Sequence, residues 1–235
     1  MAVLATTLVL AATVQGLIGL GLALVTAPVV TLLAPELMPA FMLWLGMTMP
    51  FVTLVREHHD IDWRGLGWTL PTRVVGTAVG VALLAWFPTA GLGIAVGTMV
   101  LLSVLLTVRA VEIPVRPSTL SAAGFVSGVT GTATSIGGPP MAILYQHRPP
   151  SQIRSTLGLF FILGAGLSLA GLGLVGRLEL STFLLAMSML PALVIGFVIS
   201  RHVGRRVPAR LIRLGVLTVS GLSAVAVLVR SLLML

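Results

Sequence analysis

The stretch Gly124-Phe-Val-Ser-Gly-Val-Thr-Gly-Thr-Ala-Thr-Ser-Ile-Gly-Gly-Pro-Pro-Met-Ala-Ile-Leu-Tyr145 decides the fold, because apolar segments flank it and yet it is rich in residues that break helices. Its 22 positions hold five Gly, two adjacent Pro and five Ser or Thr. A helix cannot run through Gly137–Pro140, because proline lacks the amide donor and its ring clashes with the preceding turn. Backbone groups freed in this way are tolerated at membrane depth only inside protein or beside a watery cavity. The break is therefore the first candidate for a binding site.

The composition is that of a polytopic membrane protein. Apolar residues make up 57% of the chain and charged residues 9%, which leaves little room for a soluble domain. All fourteen basic residues are Arg, and we interpret the net charge of +8 as a topology signal, with no nucleic acid as partner. Cys is absent, and no His, Asp or Glu lies within an apolar span, so we expect no enzyme active site, metal or cofactor.

An internal repeat divides the chain into two halves, residues 1–113 and 114–235. Two sets of residues recur at nearly constant offsets. The first set recurs 112 positions later and pairs Gly16, Gly19 and Pro28 with Gly128, Gly131 and Pro140. The second recurs 120 positions later and pairs Leu70-Pro71 and Gly76 with Leu190-Pro191 and Gly196. We expect an all-α protein with two repeats of five helical segments, in which Gly and Pro break the first segments of each repeat.

The positions of the arginines predict the topology. If each broken stretch crossed the membrane once, the loops on one side would hold six Arg and those on the other seven. If each broken stretch enters and returns as two short helices, one side holds eleven Arg and the other only Arg177 and Arg230. The positive-inside rule favours the second arrangement. It predicts inverted repeats in a bacterial or archaeal type of cell membrane, with both termini outside the cytoplasm.

Several motifs resemble those of the TauE/SafE sulfite-exporter family of membrane transporters. They are Gly16-x-x-Gly19-x-Gly21 with Pro28, Ser127-Gly128-x-x-Gly131, Ile136-Gly-Gly-Pro-Pro140 with Tyr145, Ile61-Asp-Trp-Arg64 and Arg154-Ser-Thr156. The first half departs from the family pattern, since Leu20-Gly21-Leu22 replaces the usual pair of glycines. The resemblance implies export or uptake of sulfite, sulfonates or related sulfur anions. The partners expected are this anion and the lipid bilayer, and a homo-oligomer is left open.

The candidate substrate-binding residues lie around the two breaks. A helix that restarts at Pro139 or Pro140 would point free amides and its positive dipole end into the break, which favours an anion. Hydroxyl groups nearby would add donors, or would instead only satisfy local backbone and join helices. The complete set of candidates is Gln15, Gly19, Gly21, Thr26, Pro28, Arg73, Thr130, Thr132, Thr134, Ser135, Gly137, Gly138, Pro139, Pro140 and Tyr145.

Arg73 is the one charged residue inside a predicted span. It follows Arg64 by nine residues, which places it about 13 Å deeper along a helix. Charged side chains at such depth usually face the protein interior and carry function. The alternative is that the long side chain extends back to the membrane interface.

The direction of transport follows from the electrical driving force. An inside-negative potential drives an anion outward by about 2.3 kcal/mol per charge per 100 mV. Since the spans show no carboxylate for a proton relay, the sequence favours facilitated export of the anion over coupled uptake. A coupling proton carried by a His or by the substrate itself is left open. An uptake permease for a sulfonate or small carboxylate is the alternative within transport. A membrane scaffold is the alternative outside it, and it would not need two matched breaks.

Overall fold

The computed structural model describes residues 2–18, 22–56, 59–86, 89–109, 113–203 and 209–233. Over these ranges the chain is helical and contains no strand. Its helices are α1 (Ala2–Ile18), α2 (Leu22–Leu33), α3 (Ala40–Arg56), α4 (Trp63–Trp86), α5 (Thr89–Arg109), α6 (Pro117–Thr134), α7 (Gly138–Tyr145), α8 (Pro150–Leu174), α9 (Leu180–Ser188), α10 (Leu190–Val203) and α11 (Ala209–Leu232), with a 3₁₀ turn at Pro35–Leu37.

The helices include segments that are long and apolar enough to cross a membrane. Among the described residues these are Trp63–Trp86, Pro150–Leu174 and Leu180–His202, and shorter apolar helices accompany them. Pro191 stands near the start of α10, where its missing amide ends the hydrogen bonding of α9. The prediction of an all-α polytopic membrane protein is confirmed.

The helix break in the second half lies where the sequence places it, and the chain reverses there. Helix α6 ends at Thr134, Ser135 adopts a left-handed conformation with φ of 61°, and α7 begins at Gly138. Gly137 returns beside Ser127, ten residues earlier, and at the far end of α7 Tyr145 bonds to Asp62 just before α4. At eight residues, α7 is only about 12 Å long and cannot cross a core of about 30 Å. Helices α6 and α7 therefore form a hairpin, which is compatible with a segment that enters the membrane and returns; the topology itself stays a prediction.

Small residues let α4 and α6 approach until their backbones touch. A Cβ atom on Gly76 or Gly124 would overlap the carbonyl oxygen of Phe125 or Thr69 on the other helix. On Gly80 it would lie 2.8 Å from the carbonyl oxygen of Val129. Helices pack this closely in membranes through small residues, because van der Waals contact replaces the hydrophobic effect there. This close approach brings Arg73 on α4 against the α6–α7 break.

The first half also contains two consecutive helices, α1 and α2. Helix α1 is described up to Ile18 and α2 from Leu22, so the glycine motif Gly16-x-x-Gly19-x-Gly21 lies at their junction, and Gly19 and Gly21 are outside the described residues. Pro28 lies inside α2, as the sequence predicts. The correspondence of Gly16, Gly19 and Pro28 with Gly128, Gly131 and Pro140 stays a prediction.

Helices of the first half pack mainly against helices of the second half. Helix α1 packs along α10 as α6 packs along α4, while α3 packs on α8 and α5 on α11. The last two pairs run antiparallel, since Gly158 near the start of α8 approaches Pro50 near the end of α3, and Gly93 approaches Ser231. This arrangement is compatible with two inverted repeats at 1–113 and 114–235, which stay a prediction.

Labelling of one introduced cysteine is expected to show that the loop before α4 faces the cytoplasm. Asp60 is exposed, and the wild-type chain contains no Cys that would react. A cysteine at position 60 should react with a membrane-impermeant maleimide only after the cells are opened. A cysteine at the half-buried Leu178, close to Arg177, should react in intact cells and serves as the control. Labelling of position 60 from outside intact cells would overturn the predicted topology.

Candidate functional site

The side chain of Arg73 lies buried between α4, α6 and α8. Its side chain is only 3% exposed, and its guanidinium carbon stacks 4.2 Å from the ring centroid of Phe160 on α8. Gly164, one turn further along α8, leaves the space that the guanidinium occupies, because a Cβ there would overlap it. Stacking on an aromatic face stabilises a cation by its attraction to the ring quadrupole. The surroundings hold the planar group in one orientation.

The guanidinium is tied to the helix break by one hydroxyl group. Arg73 Nη1 donates to Ser127 Oγ at 3.1 Å, and the same hydroxyl donates to the carbonyl oxygen of Gly137. Gly137 and Gly131 also approach closely, since a Cβ on Gly131 would lie 3.3 Å from the Cα of Gly137 and 3.4 Å from Arg73 Nη2. Arg73, Gly131 and Gly137 are therefore brought together.

The positive charge of Arg73 has no carboxylate partner among the residues that the structure describes. Its Nε also lacks a hydrogen-bond partner there, as does the buried hydroxyl of Thr77, one helical turn further along α4. A buried cation and buried polar groups are costly to leave unpaired. Two groups on the same face of α4 therefore keep unused hydrogen-bonding capacity.

The start of α7 is a weaker source of amide donors than expected. Gly138, Pro139 and Pro140 open the helix, so two of its first three residues have no N–H group. Proline suits these positions because its fixed φ fits the first turn. The expectation of a cluster of free amides is therefore corrected: within this turn only Gly138 keeps its amide, and the positive charge comes mainly from Arg73.

The hydroxyl groups of α6 divide into two kinds. Thr130 and Thr134 donate to carbonyls of their own helix, those of Val126 and Thr130, at 2.9 and 2.8 Å. Thr132 Oγ1 lies 2.7 Å from Ser168 Oγ on α8, and Ser135 Oγ donates to the carbonyl oxygen of Pro39 at 2.9 Å. All four hydroxyls are near the break, but these bonds hold the backbone and join helices. A direct role in binding stays a prediction for them.

The first-half candidates do not form a matching polar site in the described part of the chain. Gln15 Oε1 accepts the amide of Leu22 at 3.1 Å and so bridges α1 to the start of α2. Thr26 is buried inside α2 with an unpartnered hydroxyl, and Pro28 is buried in the same helix. Gly19 and Gly21 lie outside the described residues. Among the residues that the structure describes, only the second-half break lies against a buried charge.

Tyr145 lies at the other end of α7 from Gly138. It is fully buried, and its hydroxyl donates to Asp62 Oδ2 at 2.8 Å, while Asp62 Oδ1 accepts the amide of Gly65 at 2.9 Å. The amide of Asp62 in turn donates to Thr156 Oγ1 on α8 at 2.9 Å. This cluster joins α4, α7 and α8 and closes the end of the hairpin.

Sequence reasoning missed the residues that hold Arg73 in place. Phe160 and Gly164 form an i, i+4 pair on α8, and such pairs share one face of a helix. Nothing in the sequence distinguishes this Phe from one that faces lipid. Ser127 was part of the quoted motif but was not among the candidates, although its distance of four residues from Gly131 places both on the same face. No group of three His, Asp or Glu that could hold a metal occurs in the described ranges.

Loss of the Tyr145 hydroxyl is expected to weaken the closed end of the hairpin. Tyr145→Phe keeps the buried ring but removes the bond to Asp62. Since Asp62 keeps its bond from Gly65, we expect the protein to lose about 1 kcal/mol of stability. The measurement is the melting temperature of the purified protein in detergent. A melting temperature equal to that of the wild type would show that the bond contributes nothing to the stability of the folded protein.

Comparison with known families agrees with this architecture. The family described as "Sulfite exporter TauE/SafE" matches residues 4–227, nearly the whole chain. The chain belongs to this family, whose members are membrane transporters of sulfite and related sulfur anions. The comparisons with curated proteins and with solved structures gave no match.

Proposed function

We propose that this protein exports sulfite or a related organosulfonate and binds it at the α6–α7 break, against Arg73. The observation that supports this proposal is the burial of Arg73 without a carboxylate partner in the described part of the chain. An arginine at membrane depth costs several kcal/mol unless it is compensated. A bound anion would supply the missing charge.

The geometry of the guanidinium suits an oxyanion. Its planar fork can donate two parallel hydrogen bonds to two oxygens of one ligand, which a lysine ammonium cannot do. The unsatisfied Nε of Arg73 and the free hydroxyl of Thr77 are donors that such a ligand would use. Sulfite and sulfonates both present three oxygens around one sulfur atom, so either would accept several of these bonds.

Access to Arg73 requires the surrounding helices to move. The side chain is almost fully covered, with Ser127 and Gly137 on one side and Phe160 on the other. In broken-helix transporters, gating elements move around a site near the midplane. We propose that α7 moves relative to α4 and α8, which would separate Tyr145 from Asp62 and open a path from the cytoplasm.

Export is the proposed direction because the membrane potential favours it. For each charge, about 2.3 kcal/mol per 100 mV drives an anion out of a cell that is negative inside. The uptake permease remains the alternative, and it would need a coupling ion to work against this force. None of the described helices carries a buried carboxylate that would bind such an ion.

Transport by the purified protein in liposomes tests the proposal. Vesicles loaded with unlabelled sulfite should accumulate radiolabelled sulfite by counterflow, and vesicles without protein should not. An imposed potassium-diffusion potential, negative on the side that corresponds to the cytoplasm, should speed net efflux from that side. If none of the anions in a panel of sulfite and sulfonates shows counterflow, the proposed substrate is wrong. Net movement against the potential that requires an imposed proton or sodium gradient would favour the uptake permease.

A further inference from the structure

The charge balance around Arg73 is unusually simple. Arg73 is the single charged side chain among the buried residues that the structure describes. Within the part of the chain that the structure describes, the groups found against its guanidinium are neutral. These groups are the hydroxyl of Ser127, the ring of Phe160 and the backbones near Gly131 and Gly164. A ligand in this place therefore meets one positive charge and no negative one.

Other sources of positive potential at the break are weak. The N-terminus of α7 carries two prolines in its first three residues, so amide donors are few. The hydroxyls of Thr130 and Thr134 donate to their own helix. A helix end contributes at most about half a charge, and α7 has only eight residues. Arg73 thus supplies nearly all the charge that an anion could neutralise.

We propose that the site binds a singly charged sulfur oxyanion, which means hydrogen sulfite or a sulfonate, and discriminates against the sulfite dianion. This inference rests on the proposed function and specifies its ligand. One negative charge neutralises Arg73, whereas the second charge of a dianion would be buried without a partner. Burying an uncompensated charge is far more costly than burying a neutral pair.

A consequence is that sulfite crosses together with one proton. A sulfite dianion takes up a proton from the cytoplasmic solution before it binds, and the hydrogen sulfite releases that proton on the other side. The protein needs no carboxylate to carry the proton, because the ligand carries it. This agrees with the absence of buried Asp or Glu from the described helices.

The titratable groups that the structure describes near the start of α4 lie at least two helical turns from Arg73. Arg64 is nine positions earlier, about 13 Å along the helix axis. Asp62 precedes α4 and accepts the hydrogen bond of Tyr145 at the end of α7; it is eleven positions earlier, about 16 Å along the axis. On α6 and α8 the residues that face the guanidinium are Ser127, Phe160 and Gly164, and none of them titrates.

Binding of two ligands at two pH values tests the inference. Purified full-length protein is titrated with sulfite and with methanesulfonate at about pH 6 and about pH 8. Hydrogen sulfite loses its proton near neutral pH. Above that pH, the fraction of total sulfite present as hydrogen sulfite falls about tenfold per pH unit. The apparent affinity for sulfite should therefore fall by about tenfold, while that for methanesulfonate, charged once at both values, should not change.

Each other outcome has a distinct meaning. An unchanged or higher affinity for sulfite at the higher pH would overturn the inference and leave the proposed function in place. An equal fall for both ligands would place the titration in the protein and would also overturn it. Binding of neither ligand at either pH would instead contradict the proposed function itself. Melting temperatures at both pH values show whether the protein is folded in each measurement.

Discussion

Arg73→Met is expected to abolish anion binding while leaving the protein at least as stable as the wild type. Methionine fills a similar volume beside Phe160 and removes a buried charge that has no carboxylate partner in the described structure. Replacing a buried charge by an apolar side chain is often neutral or stabilising. Loss of one partner from a buried charge pair costs about 2–5 kcal/mol of binding, which is roughly thirtyfold or more in affinity.

This variant is informative because anion binding should be lost while the stability of the protein is kept or increased. Binding of sulfite and methanesulfonate is measured by calorimetry or ligand-induced thermal shift, and stability by the melting temperature without ligand. Arg73→Lys should keep part of the affinity, because the charge remains but the planar fork is lost. Wild-type affinity in a folded Arg73→Met protein would remove Arg73 from the site and contradict the proposed function.

Gly164→Ala is expected to displace the guanidinium and weaken binding by at least about tenfold, or about 1.4 kcal/mol. The added methyl group would overlap Cζ, Nε and Nη2 of Arg73, so the guanidinium would have to leave its place beside Phe160. The bond from Arg73 to Ser127 would be lost with it. One methyl group on α8, away from the helix break itself, would thus misplace the charge that the ligand meets.

The same helix offers a matched control for this substitution. Gly166 also lies in α8, but a Cβ there would meet nothing within 4 Å. Gly166→Ala should leave binding unchanged and stabilise the protein by about 0.5–1 kcal/mol, since alanine is the better helix residue. Equal binding by both variants would show that Gly164 does not position Arg73. An equal loss in both would point to a general effect of alanine in α8.

The sequence was sufficient for the class of fold and for the second break. Long continuous apolar runs predict spanning helices, in which every backbone group is bonded within its own segment. Gly137-Gly138-Pro139-Pro140 stops a helix wherever it occurs, and the structure ends α6 at Thr134 and restarts at Gly138. In the first half, the segment Leu22–Leu33 with Pro28 inside it was also predictable, and the structure describes it as α2.

The candidate site was predicted only in part, since burial is a property of packing. From the sequence, Arg73 could equally have extended to the interface, as either position satisfies a long cationic side chain. The predicted role of Thr130 and Thr134 in binding stays a prediction, and in the structure their hydroxyls donate to carbonyls one turn back. Such local bonds are always within reach of a helical threonine, so the residue type does not reveal which partner it takes.

The sequence by itself determined that this chain is a helical membrane protein of the TauE/SafE family with a break at Gly137–Pro140, because backbone chemistry and family motifs are local. Only the tertiary structure decided which groups meet at that break. Arg73, Ser127 and Phe160 belong to three different helices, and their contact depends on the close approach of α4 and α6 and on the space left by Gly164. Contacts between distant segments follow from how whole helices pack, and no short stretch of residues carries that information.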